Sequence, residues 1–293
     1  KNLCFVLARL FGWSILCLAI LRLGEVILYR NIGLGANTYL LMPNSYGFQF
    51  SIFSIFLLGL CFLETKWKKN LAIVGTIILI GTIMINGSRG SWVGVGVGIM
   101  AFFSVLIFAG ESKIWKRVFL LFLVIGVTGW VFLSSTQFSQ TVEVRSNTFK
   151  NLDRDKSYAI RLLMRQKALK LFNESPIFGV GVGNFALSST DLEIPEVLQY
   201  ATQSHFDNRS SHNSYLGFLA ENGLVGAIPF GIFLIFLIIS GFRAAILLAR
   251  QNIYWGAVIY GSFISMSLHM WFISSLTNTS TWFIYGIVGA MII

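Results

Sequence analysis

Three stretches of the chain hold residues that could do chemistry at a membrane surface. The first is Asn86-Gly87-Ser88-Arg89-Gly90-Ser91-Trp92. A guanidinium at Arg89 can fork two oxygens of a phosphate or carboxylate, whereas an arginine that only anchors a helix end at the interface is the plainer alternative. The second is Ser211-His212-Asn213-Ser214-Tyr215-Leu216. Histidine titrates near neutral pH, so His212 can serve as a general base; its plainer reading is a polar residue at a helix N-terminus. The third is Ile177-Phe178-Gly179-Val180-Gly181-Val182-Gly183-Asn184-Phe185. Its glycine spacing is not G-x-G-x-x-G and no strand–helix context surrounds it, so a nucleotide loop is disfavoured. A tight turn that lets backbone approach a neighbour or a ligand fits better. His205 lies seven residues before His212, yet no carboxylate or thiolate cluster completes a metal set, and no metal is expected.

The elements that must position these residues are membrane helices. Of 293 residues 55% are hydrophobic and only 12% charged, about half the charge of a soluble domain. A hydrocarbon core about 30 Å thick takes roughly 20 helical residues. Apolar runs that meet or approach this length are Leu3–Leu23, Tyr46–Leu63, Leu71–Ile85, Trp92–Ala109, Val118–Ser134, Leu224–Phe242 and Ile253–Ile273, with another beginning near Thr281. The turn signature at Asn86–Gly90 makes a tight hairpin of the third and fourth, with Arg89 at its tip. Gly94, Gly96 and Gly98 read as a helix-packing face. The expected fold is an all-α, polytopic transmembrane helix bundle with one large outward-facing, partly helical loop. Residues 1–134 hold about five helices, 135–213 the loop, and 214–293 about three more. The chain opens on Lys1 and stops at Ile293 within an apolar run, so both ends read as cut and further helices are expected before Lys1.

Charge orients the bundle. Lys66, Lys68 and Lys69, then Lys113, Lys116 and Arg117, then Arg243 and Arg250, sit in alternate connections, which should face the cytoplasm. The net charge of +10 is accounted for by this rule, and nucleic acid is not an expected partner. Cys4, Cys17 and Cys61 lie in apolar runs with no metal-ligand spacing, and read as small buried hydrophobes. The Arg89 tip and the long Ser135–Ser211 segment then face outward. That segment carries much of the chain's Asp and Glu together with Arg145, Arg154, Arg161, Arg165 and Arg209. Within it Ser157–Asn173 reads as an amphipathic helix, with Ile160, Leu163, Met164, Lys167, Ala168 and Leu171 at helical spacing and a stop before Pro176.

Taken in order, four stretches resemble the O-antigen ligase and polymerase superfamily of bacterial envelope glycosyltransferases. They are Ser88-Arg89-Gly90, the run opened by Arg161 (Arg-Leu-Leu-Met-Arg-Gln-Lys-Ala-Leu), Ser175–Phe185, and His212-Asn213-Ser214-Tyr215-Leu216 leading into Ala220-Glu221-Asn222-Gly223-Leu224-Val225-Gly226. Where many relatives carry an aromatic four residues after the loop arginine, this chain has Arg165. The resemblance implies transfer of a glycan from a polyprenyl-diphosphate carrier to a glycan or lipid acceptor hydroxyl, on the outer side of the bacterial inner membrane. No cofactor and no obligatory metal are implied. Arg89, Arg161 and Arg165 would hold the diphosphate and His212 would act as the catalytic base, with Ser88, Asn213, Tyr215 and Glu221 in support. Direct attack would invert the anomeric carbon.

Three further readings remain open on sequence. A polymerase of the same superfamily would use a second lipid-linked repeat unit as acceptor. A transporter, a label some members of the superfamily carry, would more often place acidic or histidine residues near the bilayer midplane. Here His269 stands alone in the later helices, and Arg9 and Arg22 read as packing or boundary residues. A non-catalytic assembly protein is a third option, and would not need Arg161 and His212 to meet.

Overall fold

A computed structural model describes residues 2–31, 43–86, 88–110, 156–198, 206 and 208–293. All regular structure among them is helical: α1 (Asn2–Asn31), α2 (Pro43–Leu63), α3 (Lys66–Asn86), α4 (Arg89–Phe108), α5 (Lys156–Glu174), α6 (Ser214–Arg250), α7 (Trp255–His269) and α8 (Thr279–Ile292), plus a 3₁₀ turn at Glu196–Leu198. A bilayer offers backbone groups no water, so an apolar chain that crosses it closes its own hydrogen bonds as helix. Among the described residues five spans are long and apolar enough to cross: Val6–Glu25, Asn44–Leu63, Lys66–Asn86, Arg89–Phe108 and Ser214–Arg250. The sequence-predicted crossing at Val118–Ser134 lies outside the described residues.

The chain divides into two compact units. The first contains α1 to α4, the C-terminal part of α6 from Leu237, α7 and α8. At its centre α2 packs against α1, α3, α4 and α7. Phe48, Phe50, Phe56, Phe102 and Phe263 are fully buried in it. The closest crossing joins α4 to α7, where a Cβ on Gly98 would lie 2.8 Å from the Gly261 carbonyl and one on Gly261 as near the Gly98 carbonyl. Of the three glycines read as a packing face, Gly94 and Gly98 meet α7, while Gly96 faces open space.

Two arginines within α1 are paired with carboxylates, as apolar surroundings favour. Arg9 meets Glu64 at 2.7 Å. The Arg22 side chain is buried, 2.9 Å from Glu25, and its guanidinium lies 4.6 Å over the Tyr46 ring. Arg22 is thus an inward-facing partner of Glu25, the packing role of the two that the sequence allowed.

One expected crossing is shorter than the sequence suggests. Against Ile253–Ile273, α7 spans only Trp255–His269. Beyond it the Met270 carbonyl accepts from the Ser214 N–H at 2.9 Å and the Ile273 carbonyl from Ser214 Oγ at 2.6 Å. Groups that a longer helix would use are committed to another segment.

The second unit contains α5, the turns that follow it, α6 as far as Phe236, and the 270–278 connection. Its core is Ala159, Leu163, Met164, Ala168 and Leu171 of α5 closing on Phe185, Leu198, Phe206 and Ala220. The helix occupies the predicted span to within a residue, and its buried face includes Lys167, fully enclosed with Nζ 5.2 Å from the Phe185 ring centroid. Beyond residue 223 the first part of α6 exposes Leu224, Val225, Ile228 and Ile232, a surface suited to lipid.

Candidate functional site

The Arg89 corner is built by packing. Between α3 and α4, Ser88 takes an extended conformation, and its carbonyl accepts from the N–H groups of Ser91 and Trp92 and from Ser91 Oγ at 2.7 Å. Trp92 Nε1 donates to the Ile83 carbonyl at 3.0 Å, stitching the hairpin together. Ser88 is buried against Gly47, where a Cβ would come within 2.7 Å of its side chain. Ser88 therefore packs and turns the chain, and its hydroxyl does not cap α4. Arg89 is the first residue of α4 and half-buried. Gly90 and Ser91 beside it are buried, so the corner offers a guanidinium at a helix N-terminus rather than open backbone; both features favour an anion.

In the second unit the two glycine stretches lock into each other. Val180 and Gly181 donate their N–H groups to the carbonyls of Ala220 and Glu221, each at 2.9 Å. In return Leu224 and Val225 donate to the carbonyls of Pro176 and Ile177, at 2.9 and 3.1 Å. This exchange needs a break in α6, supplied by Gly223 at φ +57 and ψ −160. A Cβ on Gly223 would strike the Ile177 carbonyl, and one on Gly179 (φ +71) would strike the Glu221 carbonyl. Neither position tolerates a side chain, which explains the glycines without a nucleotide. Glu221 completes the joint by accepting from the Phe185 N–H through Oε1 at 3.1 Å.

His212 sits directly before α6 with φ +50, a left-handed conformation rarely held by a residue with a side chain. Its neighbours hold it there. Asn213 Oδ1 accepts from the N–H groups of Tyr215 and Leu216, both at 3.0 Å, as an N-cap does. Ser211 Oγ donates to the Asn213 carbonyl at 2.8 Å and shares a hydrogen bond with Ser274 Oγ. The two hydrogen bonds from Ser214 to the 270–278 connection anchor the other side. Strained backbone of this kind persists where surrounding bonds over-determine it, and clusters at functional sites.

The imidazole itself hydrogen bonds to no described residue. Burial pushes its pKa below the ordinary 6.5, and the Arg161 and Arg209 guanidiniums push it further in the same direction. At neutral pH the ring is therefore uncharged and able to accept a proton. Of the sequence-predicted loop arginines, Arg161 reaches His212 electrostatically and Arg165, one helical turn later on α5, does not. Arg209 takes that second place instead. Nothing in its local pattern marks it, and only its position three residues before His212 could have done so.

The supporting residues divide by role. Asn213 caps a helix, and its Nδ2 is buried with no hydrogen-bond partner among the described residues. Tyr215 packs on Trp271, ring centroids 5.1 Å apart. Glu221 lines a cavity of about 230 Å³ with Phe185, Phe218 and a group of serines that includes Ser211, Ser214 and Ser274. The role of Ser274 and Ser275 in bracing the histidine segment is invisible in the sequence, which shows only a short polar connection. His205 lies outside the described residues. Among the described residues no three His, Cys, Asp or Glu side chains gather as metal ligands.

Comparison with known proteins adds to this geometry. Residues 74–231, more than half of the chain, match the family described as O-antigen ligase. The match spans Arg89, Arg161, Arg209 and His212. A Haemophilus influenzae protein described as uncharacterized is 27% identical over 220 residues, covering 70% of this chain and 53% of its own. The chain thus spans about half the length of that curated relative.

Proposed function

From the chain's membership of the O-antigen ligase family, we propose that it transfers a glycan from a polyprenyl-diphosphate carrier to an acceptor hydroxyl, with His212 as base. One observation carries the reading: a half-buried histidine that bonds to no described residue, held in a strained backbone with its pKa pushed down, faces the positive fields of Arg161 and Arg209. The acceptor oxygen attacks the anomeric carbon while the carbon–oxygen bond to the diphosphate breaks. The diphosphate leaves with the bonding pair, and His212 Nδ1 or Nε2 takes the hydroxyl proton. Configuration at the anomeric carbon inverts.

The arginines oppose the charge that gathers on the departing diphosphate, a stabilisation that needs no metal when the groups are preorganised. Arg161 and Arg209 take this role first. Arg165 is assigned to an outer oxygen of the same carrier, and Arg89 is assigned to the carrier through its anion-favouring helix terminus. The reaction would take place on the outer face of the bacterial inner membrane, the side to which the lysine-rich connections do not point.

The test is turnover in proteoliposomes holding the full-length protein, a polyprenyl-diphosphate-linked oligosaccharide and candidate acceptors, with EDTA present. Acceptor-dependent release of polyprenyl diphosphate, lost in His212→Ala, is the expected result. Full release from folded His212→Ala protein would sink the assignment. The acceptor that supports release separates a ligase from a polymerase.

A further inference from the structure

The cavity beside the histidine segment has a chemistry that the arginines do not explain. Six hydroxyl-bearing residues line it: Ser210, Ser211, Ser214, Ser274, Ser275 and Thr277. Among the described lining residues Glu221 is the only charged one, and the aromatic rings are Phe185 and Phe218. Much of the hydroxyl capacity is already committed. Ser211 bonds to the Asn213 carbonyl and Ser274, and Ser214 bonds to the Ile273 carbonyl and Ser275. Three groups stay open among the described residues. Ser210 and Thr277 hydrogen bond to no described residue, and Glu221 uses only Oε1, toward the Phe185 N–H.

We infer that this cavity is a subsite for one uncharged sugar ring, and that Glu221 excludes acidic sugars from it. A pyranose is amphipathic, with equatorial hydroxyls around its rim and a C–H face that suits an aromatic wall. The cavity offers both surfaces: Glu221, Ser210 and Thr277 for hydroxyls, Phe185 and Phe218 for the C–H face. Its volume of about 230 Å³ is below the ~300–1,000 Å³ typical of drug-sized sites, which suits one ring rather than an oligosaccharide. A carboxylate accepting a sugar O–H makes a charge-assisted hydrogen bond, but beside the carboxylate of a uronic acid it repels. Ser211 and Ser214 flank His212 in the chain, so a ring held here lies next to the proposed base.

The inference rests on the glycosyl-transfer reading for its biological meaning, but binding of a sugar can be measured without turnover. The experiment is saturation-transfer NMR on the full-length protein in lipid nanodiscs, with glucose, N-acetylglucosamine and glucuronate as probes. Wild-type protein should transfer saturation to a neutral sugar and not to glucuronate. Thr277→Trp and, independently, Ser210→Trp fill the cavity mouth from exposed positions and should weaken the neutral sugar on the order of tenfold or more. Glu221→Gln keeps an oxygen for the Phe185 N–H and should admit glucuronate. Equal signals from wild type and both tryptophan variants, or glucuronate bound by wild type as well as the neutral sugars, would overturn the inference. If sugar binds as stated while no polyprenyl diphosphate is ever released, the transfer reading has failed and the subsite stands. Where turnover is observed, inhibition by the bound sugar that is competitive against acceptor assigns the ring to the acceptor, and competition against the lipid-linked glycan assigns it to the donor.

Discussion

Each unit of the molecule holds one described histidine, and the two are treated in opposite ways. In the helix bundle His269 is buried, with Nδ1 2.8 Å from Ser51 Oγ and its ring edge-on to Phe48. Ser51 in turn bonds to the Phe48 carbonyl, and Ser265 Oγ to the Ser51 carbonyl. That imidazole is one part of a closed polar network in an apolar bundle, where an unmet polar group would be costly. His212 is half-buried, bonded to no described residue, strained at φ +50 and pressed by two arginines. A satisfied histidine supports a fold. An unsatisfied one whose proton affinity is lowered by its surroundings is available for chemistry.

The contrast breaks most directly at the two rings. His212→Ala should cost transfer roughly 10²- to 10⁴-fold, the span typical of a lost general base. His269→Ala should leave turnover per folded molecule within a few-fold while lowering the thermal unfolding temperature. A folded His269 variant without turnover, or an active His212 variant, reverses the assignment.

Glycines give the next largest effect. Gly179→Ala forces a side chain onto the Glu221 carbonyl at φ +71 and should destabilise the second unit by about 1–3 kcal/mol. Gly96→Ala in α4 meets nothing within 4 Å and should be neutral, or stabilise by roughly 0.5–1 kcal/mol as alanine replaces glycine within a helix. Denaturation of the two purified variants in the same detergent would compare them. Equal stability would mean that the glycine joint is looser than described. Removing the α6 cap with Asn213→Ala should cost about 1 kcal/mol, seen in the same assay, with Asn213→Asp close to wild type.

The smallest effect is in the pH profile. Because the His212 pKa is lowered, its base form survives to lower pH than an ordinary histidine's. The acid limb of kcat/KM should therefore lie below about 6.5. Removing positive charge by Arg209→Ala or Arg161→Ala should raise that limb, and Arg165→Ala should leave it in place. A bound diphosphate would offset the arginines, so the limb of kcat should lie at higher pH than that of kcat/KM. Coincident limbs in wild type and Arg161→Ala would mean that the guanidinium does not act on the ring.

Several features of the site were legible as local pattern. The α5 span and the inward course of Lys167 follow from helical spacing, and the stop before Pro176 from the restriction proline places on its predecessor. The turn role of the 177–185 glycines was legible, but not its partner. Gly179 and Gly223 are far apart in the chain, and their pairing depends on a break in α6 that no local rule demands. Arg165 and Arg209 show the same limit. Both are arginines near a motif, and only three-dimensional proximity selects Arg209 as the one acting on His212. The span after Trp255 was overextended because hydropathy cannot register that Ser214 takes the Met270 and Ile273 carbonyls.

By itself the sequence determined that this is a multi-pass helical membrane protein of the O-antigen ligase family. Lipid leaves an apolar chain no alternative to closing its own hydrogen bonds within each span, and that condition is written in run length and composition. Tertiary structure alone decided the surroundings of these ionisable groups. Arg22 is bound to Glu25 and Tyr46, His269 is closed in by Ser51, and His212 is left neutral beside Arg161 and Arg209. Proton affinity depends on burial and on charges brought near from distant parts of the chain, and neither is a property of the residue or its neighbours in sequence.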